Sequence, residues 1–131
     1  MNIQIPISTG ELLDKLSILE IKKDKVKDSA KLKNINHEYD LLINLSKNLK
    51  DKDEKSFNSL YEEILKVNKK LWDIEDKIRI LESEKKFDEE FISVARSVYF
   101  INDDRFDLKK KINETFGSDV AEEKEYIEYK Q

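Results

Sequence analysis

Eight apolar residues, Phe57, Leu60, Ile64, Val67, Leu71, Ile74, Ile78 and Leu81, follow one another at spacings of 3, 4, 3, 4, 3, 4 and 3. Such a run forms one stripe along an α-helix, and its heptad period makes that helix coil left-handedly against a neighbour. Neither proline nor glycine interrupts it. A continuous helix over 54–85 has roughly 32 residues and a length of about 48 Å at ~1.5 Å per residue. A compact domain of this size is only about 30 Å across. Unless it kinks, the helix outruns its own domain, and a second subunit is the expected cover. Twofold pairing is the commonest assembly, so the chain reads as a homodimer paired through this helix.

Three further helices follow from their caps and spacings. Ser8 and Glu11 make an S-x-x-E capping box. Leu12, Leu16, Leu19 and Val26 then recur at helical spacing, which predicts a helix over 9–27. Ahead of it, IQIPIS reads as a short extended arm that Pro6 confines to an edge or an unpaired segment. Asp28 or Ser29 caps a helix over 30–49, with Ile35, Tyr39, Leu42, Leu45 and Leu49 on one broad face. Asp88 caps a helix over 89–115, and Gly117 stops it. The opening of that last helix, FISVARSVYFI, is apolar on nearly every side, as a helix in the middle of a bundle is. The tail, 118–131, is acidic and either forms a short helix or frays. The fold class is therefore all-α: an antiparallel bundle of four main helices in a single domain, 1–131.

Composition removes several classes of function. The 131 residues include no cysteine, which excludes disulfide scaffolds, thiolate zinc sites and cysteine nucleophiles. Two glycines and one proline leave no glycine-rich phosphate loop. No apolar run reaches the ~18 residues of a membrane span, and MNIQIPISTG lacks the pattern of a signal peptide. A soluble, cytoplasmic protein is the expectation. A net charge of −4 gives nucleic-acid binding no general support. The lysines of 22–33 could contact phosphates only in a strongly salt-dependent way. They and the acidic tail read as two separate solvated patches. His37 is the sole histidine, and no E-x-x-H pair exists, so neither a di-iron bundle nor a catalytic triad is expected. Glu122, Glu125 and Glu128 have the spacing used by helical pyrophosphohydrolases for magnesium, but they lie in the tail. No metal and no cofactor are expected.

What remains is arginine. Lys and Arg together number 25, yet only Arg79, Arg96 and Arg105 are arginine, and all lie between 79 and 105. The guanidinium fork makes paired contacts that ammonium cannot copy. Arg96 lies among Val94, Ala95, Val98 and Tyr99, where an unpaired charge would cost several kcal/mol. It therefore needs an acidic partner, solvent or a bound anion. Tyr99 and Asp103 share its face, and Asn102 and Arg105 extend the polar cluster. Trp72, Glu75 and Arg79 form a second set beside the heptad stripe, with Glu75 and Arg79 an i, i+4 pair. Asp14 and Lys15, with Glu11 and Glu20, supply charges on the first helix, and Asp14 or Glu20 is the expected partner of Arg96. These residues give two readings. One is a non-catalytic interaction or accessory protein with an internal ion network and a protein partner. The alternative is a site, in a binder or an enzyme, for a small anion such as a phosphate, a carboxylate or a nucleotide sugar. Helical chorismate mutases share the architecture but place an arginine early in the first helix, and none precedes position 79 here.

The segments PISTGELLDKLSILEIK (6–22), LWDIEDKIR (71–79), FDEEFISVARSVYFINDD (87–104) and GSDVAEEKEY (117–126) resemble a family of small all-helical bacterial proteins classed as a domain of unknown function. The resemblance spans nearly the whole chain and is weakest over 28–65. It implies no activity. It does imply a setting beside glycosyltransferases of surface-polysaccharide synthesis.

Overall fold

The computed structural model describes residues 1–129, so the last two positions of the expected tail lie outside the described residues. Its elements are α1 (Thr9–Lys25), α2 (Ser29–Lys52), α3 (Glu54–Ser83) and α4 (Glu89–Phe116), with no strand among the described residues. The bundle is all-α, as the spacing predicts, and each boundary lies within three residues of the sequence expectation. Residues 1–8 precede α1 with neither helix nor strand, and Ser8 is extended at φ −71° and ψ 157°.

The caps explain the boundaries. Ser8, Asp28, Asp53 and Asp88 each accept a hydrogen bond from a backbone N–H in the first turn of the helix that follows. Gly117 closes α4 in the left-handed region, at φ 66°. That conformation is costly for a residue with a Cβ. The capping box at α1 is only half formed. Ser8 Oγ accepts from the Glu11 N–H at 3.1 Å, but the Glu11 carboxylate turns away to an ion pair with Lys109.

Short turns send the helices up and down in alternation. Gly10 meets Asn113 and Asp14 meets Arg105, so α1 and α4 run antiparallel. The core combines Leu12, Leu13 and Leu16 of α1 with Phe57, Leu60 and Ile64 of α3 and with Ile112 and Phe116 of α4. The heptad stripe supplies this core along one continuous α3. Phe57, Leu60, Ile64, Leu71 and Leu81 are buried, while Val67, Ile74 and Ile78 are half-buried. On α2 only Ser46 is buried, and Leu45, expected on its inner face, is exposed.

Length mismatch shapes the rest. α3 has 30 residues and α4 has 28, against 17 in α1. At ~1.5 Å per residue, α1 is about 20 Å shorter than α3. It ends at Lys25, beside Trp72 and Asp73. Past that level α3 and α4 continue as a hairpin arm, tied across by Lys77 and Glu90 at 3.8 Å.

The arm overturns one expectation. The buried residues of α4 all lie at or beyond Lys109, so FISVARSVYFI is not at the centre of the bundle. It has α3 on one side and, at Tyr99 and Phe100, the ring of Tyr129 on another, and none of its residues is buried. Arg96 is accordingly exposed. The apolar composition of the segment is genuine, but the helix that would bury its outer side is not supplied by α1.

Candidate functional site

Polar residues Asn102, Arg105, Lys109 and Asn113 line one side of α4 at spacings of 3, 4 and 4. Facing them, α1 presents Gly10, Glu11, Asp14 and Ser17. The two polar lines meet inside the bundle, where buried polar groups need partners within the protein, and α1, α3, α4 and the tail all supply them.

Asp14, 1% exposed, is the hub. Its carboxylate takes both arms of the Arg105 guanidinium: Nε donates to Oδ1 at 2.8 Å and Nη2 donates to Oδ2. Asn68 Nδ2 donates to Asp14 Oδ1 at 2.9 Å and to Ser17 Oγ at 2.7 Å. Ser17 in turn donates to the Asp14 carbonyl at 2.7 Å. The bond to Asp14 raises the Arg105 pKa against the opposing effect of burial, and the charges of Asp14, Glu11 and Glu122 add to it. A paired, forked, charge-assisted bond of this kind is among the stronger polar contacts in proteins.

One and two turns further along, Lys109 and Asn113 continue the line. Burial pulls the Lys109 pKa down, but hydrogen bonds to Glu11 and Glu122 outweigh it and the net shift is upward. Those contacts measure 2.8 and 2.9 Å. Asn113 Oδ1 accepts from the Gly10 N–H at 2.6 Å and from Thr9 Oγ1 at 3.3 Å. It thereby satisfies a helix-start N–H that no carbonyl of α1 can reach. Among the described residues no buried side-chain nitrogen or oxygen lacks a partner.

The described part of the tail neither forms a helix nor meets the lysines of 22–33. After Gly117 it turns back along α4 with neither helix nor strand in its described residues. Glu122 reaches Lys109, the Lys124 ammonium sits 5.2 Å from the centre of the Phe106 ring, and the Tyr129 hydroxyl donates to Asp103. Tyr129 also sets its ring edgewise against Tyr99 and Phe100.

The expected site residues therefore divide into groups. Asp14 and Arg105 are bonded to each other. Asn102, Arg105, Lys109 and Glu122 line a cavity of about 260 Å3. Lys15 is exposed and borders a cavity of about 240 Å3 with Asp14, Arg105 and Glu38. Tyr99 and Asp103 hold the tail. Trp72 lines a separate cavity of about 510 Å3 with Glu20, Asp24 and Lys69. Glu75 and Arg79 form a surface pair on α3, with side chains 42% and 71% exposed. The three arginines do not converge, because 79 and 96 ride on the arm while 105 lies within the bundle. The expected partners of Arg96 are engaged elsewhere: Asp14 holds Arg105, and Glu20 accepts from the Tyr61 hydroxyl at 2.6 Å. Burial and that bond together push the Tyr61 pKa up.

Sequence reasoning misses Gly10, Ser17, Asn68, Lys109 and Asn113 as members of the network. The polar line 102, 105, 109 and 113 is visible as a spacing. Asn68 carries the weaker signal of an amide directly beside the heptad stripe.

The tail contact has an acid-range signature. The hydrogen bond from Lys109, joined by the charges of Lys109, Lys124 and Arg105, holds the Glu122 carboxyl below its ordinary range despite some burial. A carboxyl lowered by docking stabilises the docked tail above its undocked pKa. That contribution disappears as pH falls through the lowered value. Carbon-detected NMR of Glu122 is expected to give a midpoint below 4.5. A midpoint at or above that value would reject the docked arrangement.

Among the described residues no group of three or more acidic, histidine or cysteine side chains is placed to hold a metal, and no helix is long and apolar enough to cross a membrane. A family model described as "Family of unknown function (DUF6165)" matches residues 3–129. No curated protein and no solved structure matches the chain.

Proposed function

We propose, for a chain that belongs to the family of unknown function DUF6165, a non-catalytic interaction protein that pairs with a second copy of itself through the α3–α4 arm. One observation carries this reading. The arm leaves Ile80 56%, Phe87 58% and Ile92 49% exposed on a hairpin that α1 is too short to cover. Apolar side chains gathered on one projecting element mark association surfaces. A second copy is the favoured occupant because the arm carries both signs of charge. Arg79, Lys85 and Arg96 lie along it with Glu82, Glu84 and Glu89, so each sign can meet its opposite when the same patch faces itself across a twofold axis. The interior polar network supports a structural role, since Asp14 already spends both carboxylate oxygens on Arg105 and Asn68.

Sedimentation tests the pairing. The wild-type chain is expected to sediment as a dimer at micromolar concentration, and Ile80→Glu with Ile92→Glu as a monomer of unchanged helicity. A monomeric wild type overturns the reading.

A second reading keeps a specific observation in its favour. Arg105, Lys109 and Asn102 border the cavity of about 260 Å3, a setting for a phosphate, a carboxylate or a nucleotide sugar. The last would suit a place beside surface-polysaccharide synthesis. Weighing against it, Glu11 and Asp14 already neutralise the two cations. Saturable phosphate binding that Arg105→Gln abolishes would favour this reading over the first.

A further inference from the structure

The tail is bound to α4 as a ligand is bound, at separate seats and with little burial between them. Glu122 places a carboxylate on the Lys109 ammonium, 2.9 Å away. Two residues on, Lys124 places a cation over the Phe106 ring. Five residues further, Tyr129 gives its hydroxyl to Asp103 and its ring to Tyr99. No member of the core cluster lies beyond Phe116, so the bundle does not need the tail in order to be packed.

The geometry between the seats is slack. Seven residues of extended chain can span about 23 Å, whereas Asp103 and Lys109 lie six residues apart on α4, a rise of about 9 Å. The surplus arches outward. Tyr126 and Ile127 are 50% and 88% exposed, and a space of about 550 Å3 lies between the arch and α4.

We propose that this side of α4 is a docking groove for an extended peptide that presents a carboxylate, a cation two residues later and a tyrosine five residues after that. Residues 118–129 are its resident occupant, and a partner segment of the same chemistry displaces them. The groove runs from Tyr99 to Lys109 and does not include Ile80, Phe87 or Ile92, so the inference stands apart from the pairing proposed above. The αL residue Gly117 is the hinge, and release of the tail leaves Lys109 still paired with Glu11.

The test uses the full chain and a labelled synthetic peptide of residues 118–129. A release variant, Glu122→Lys with Tyr129→Ala, frees the groove without touching a core residue, and circular dichroism checks that it stays folded. A resident tail lowers apparent affinity by the fraction of grooves left free. The release variant is expected to bind the peptide about tenfold or more tighter than wild type. A peptide carrying Glu122→Lys is expected to lose that binding. Ile92→Glu, on the arm, is expected to leave it unchanged. Equal binding by the release variant and wild type overturns the proposal. So does no binding to the release variant at millimolar peptide, or loss of binding in Ile92→Glu.

Discussion

Asp14→Ala is expected to lower the melting temperature by about 10–20 °C. The substitution leaves the Arg105 guanidinium without its carboxylate and takes one of two acceptors from the Asn68 amide, while the Ser17 hydroxyl keeps the Asp14 backbone carbonyl. Breaking a buried ion pair from one side costs about 3–5 kcal/mol, because the remaining partner stays desolvated and uncompensated. In a domain of this size each kcal/mol is worth roughly 3–5 °C. Arg105 is 28% exposed at its side chain, so partial rehydration sets the loss toward the lower end. The companion variant is Asp14→Leu with Arg105→Met, which removes both charges. Replacing a buried pair by apolar residues of similar volume is often neutral or stabilising. Recovery of most of the lost stability in the double variant is therefore expected by calorimetry. A single variant that melts like wild type would show that the pair contributes nothing to the fold.

Gly10→Ala is expected to cost about 3 kcal/mol, near 10 °C, although alanine is the better helix former. A Cβ at Gly10 would collide with the Lys109 carbonyl oxygen and stand 2.8 Å from Asn113 Oδ1. The first of these is backbone of α4 and cannot swing aside. The second is the atom that accepts the Gly10 N–H. α1 must therefore lift from α4 and loosen that bond. Gly117→Ala is the control, since nothing lies within 4 Å of its Cβ position. It carries only the left-handed penalty of about 1–2 kcal/mol. Equal melting of Gly10→Ala and wild type would mean that the close approach of the two helices is not present in solution.

The elements are legible where short-range rules govern them. Asp28, Asp88 and Gly117 announce their helix ends by side chain alone, and the 57–81 stripe announces a long helix by period alone. The reading fails where the outcome depends on the relative lengths of helices. Nothing local in FISVARSVYFI says that α1 will end before reaching it, so its apolar character reads as burial and Arg96 as a buried charge. The pairing of charges fails for a related reason. Asp14 is recognisable as one end of an ion pair, but choosing Arg105 over Arg96 requires the register of α1 on α4. That register is fixed by the Gly10 contact, and a glycine without a turn motif gives little warning of it. The tail is opaque because its seats on α4 are single side-chain contacts and produce no periodicity of their own.

The clasp between α1 and α4 also bears on the order in which the chain can assemble. Asp14 and Arg105 are separated by 91 positions, and Gly10 and Asn113 by 103. The α3–α4 hairpin, by contrast, closes across the short turn of 84–88. Loops of low sequence separation form fastest, so the hairpin can be in place early while α1 waits for it. During synthesis, which proceeds from the N-terminus, Leu12, Leu13 and Leu16 leave the ribosome about a hundred residues ahead of Ile112 and Phe116, the α4 side of their core. Through most of translation α1 has only α2 and α3 to pack on, and the last turns of α4 complete its burial.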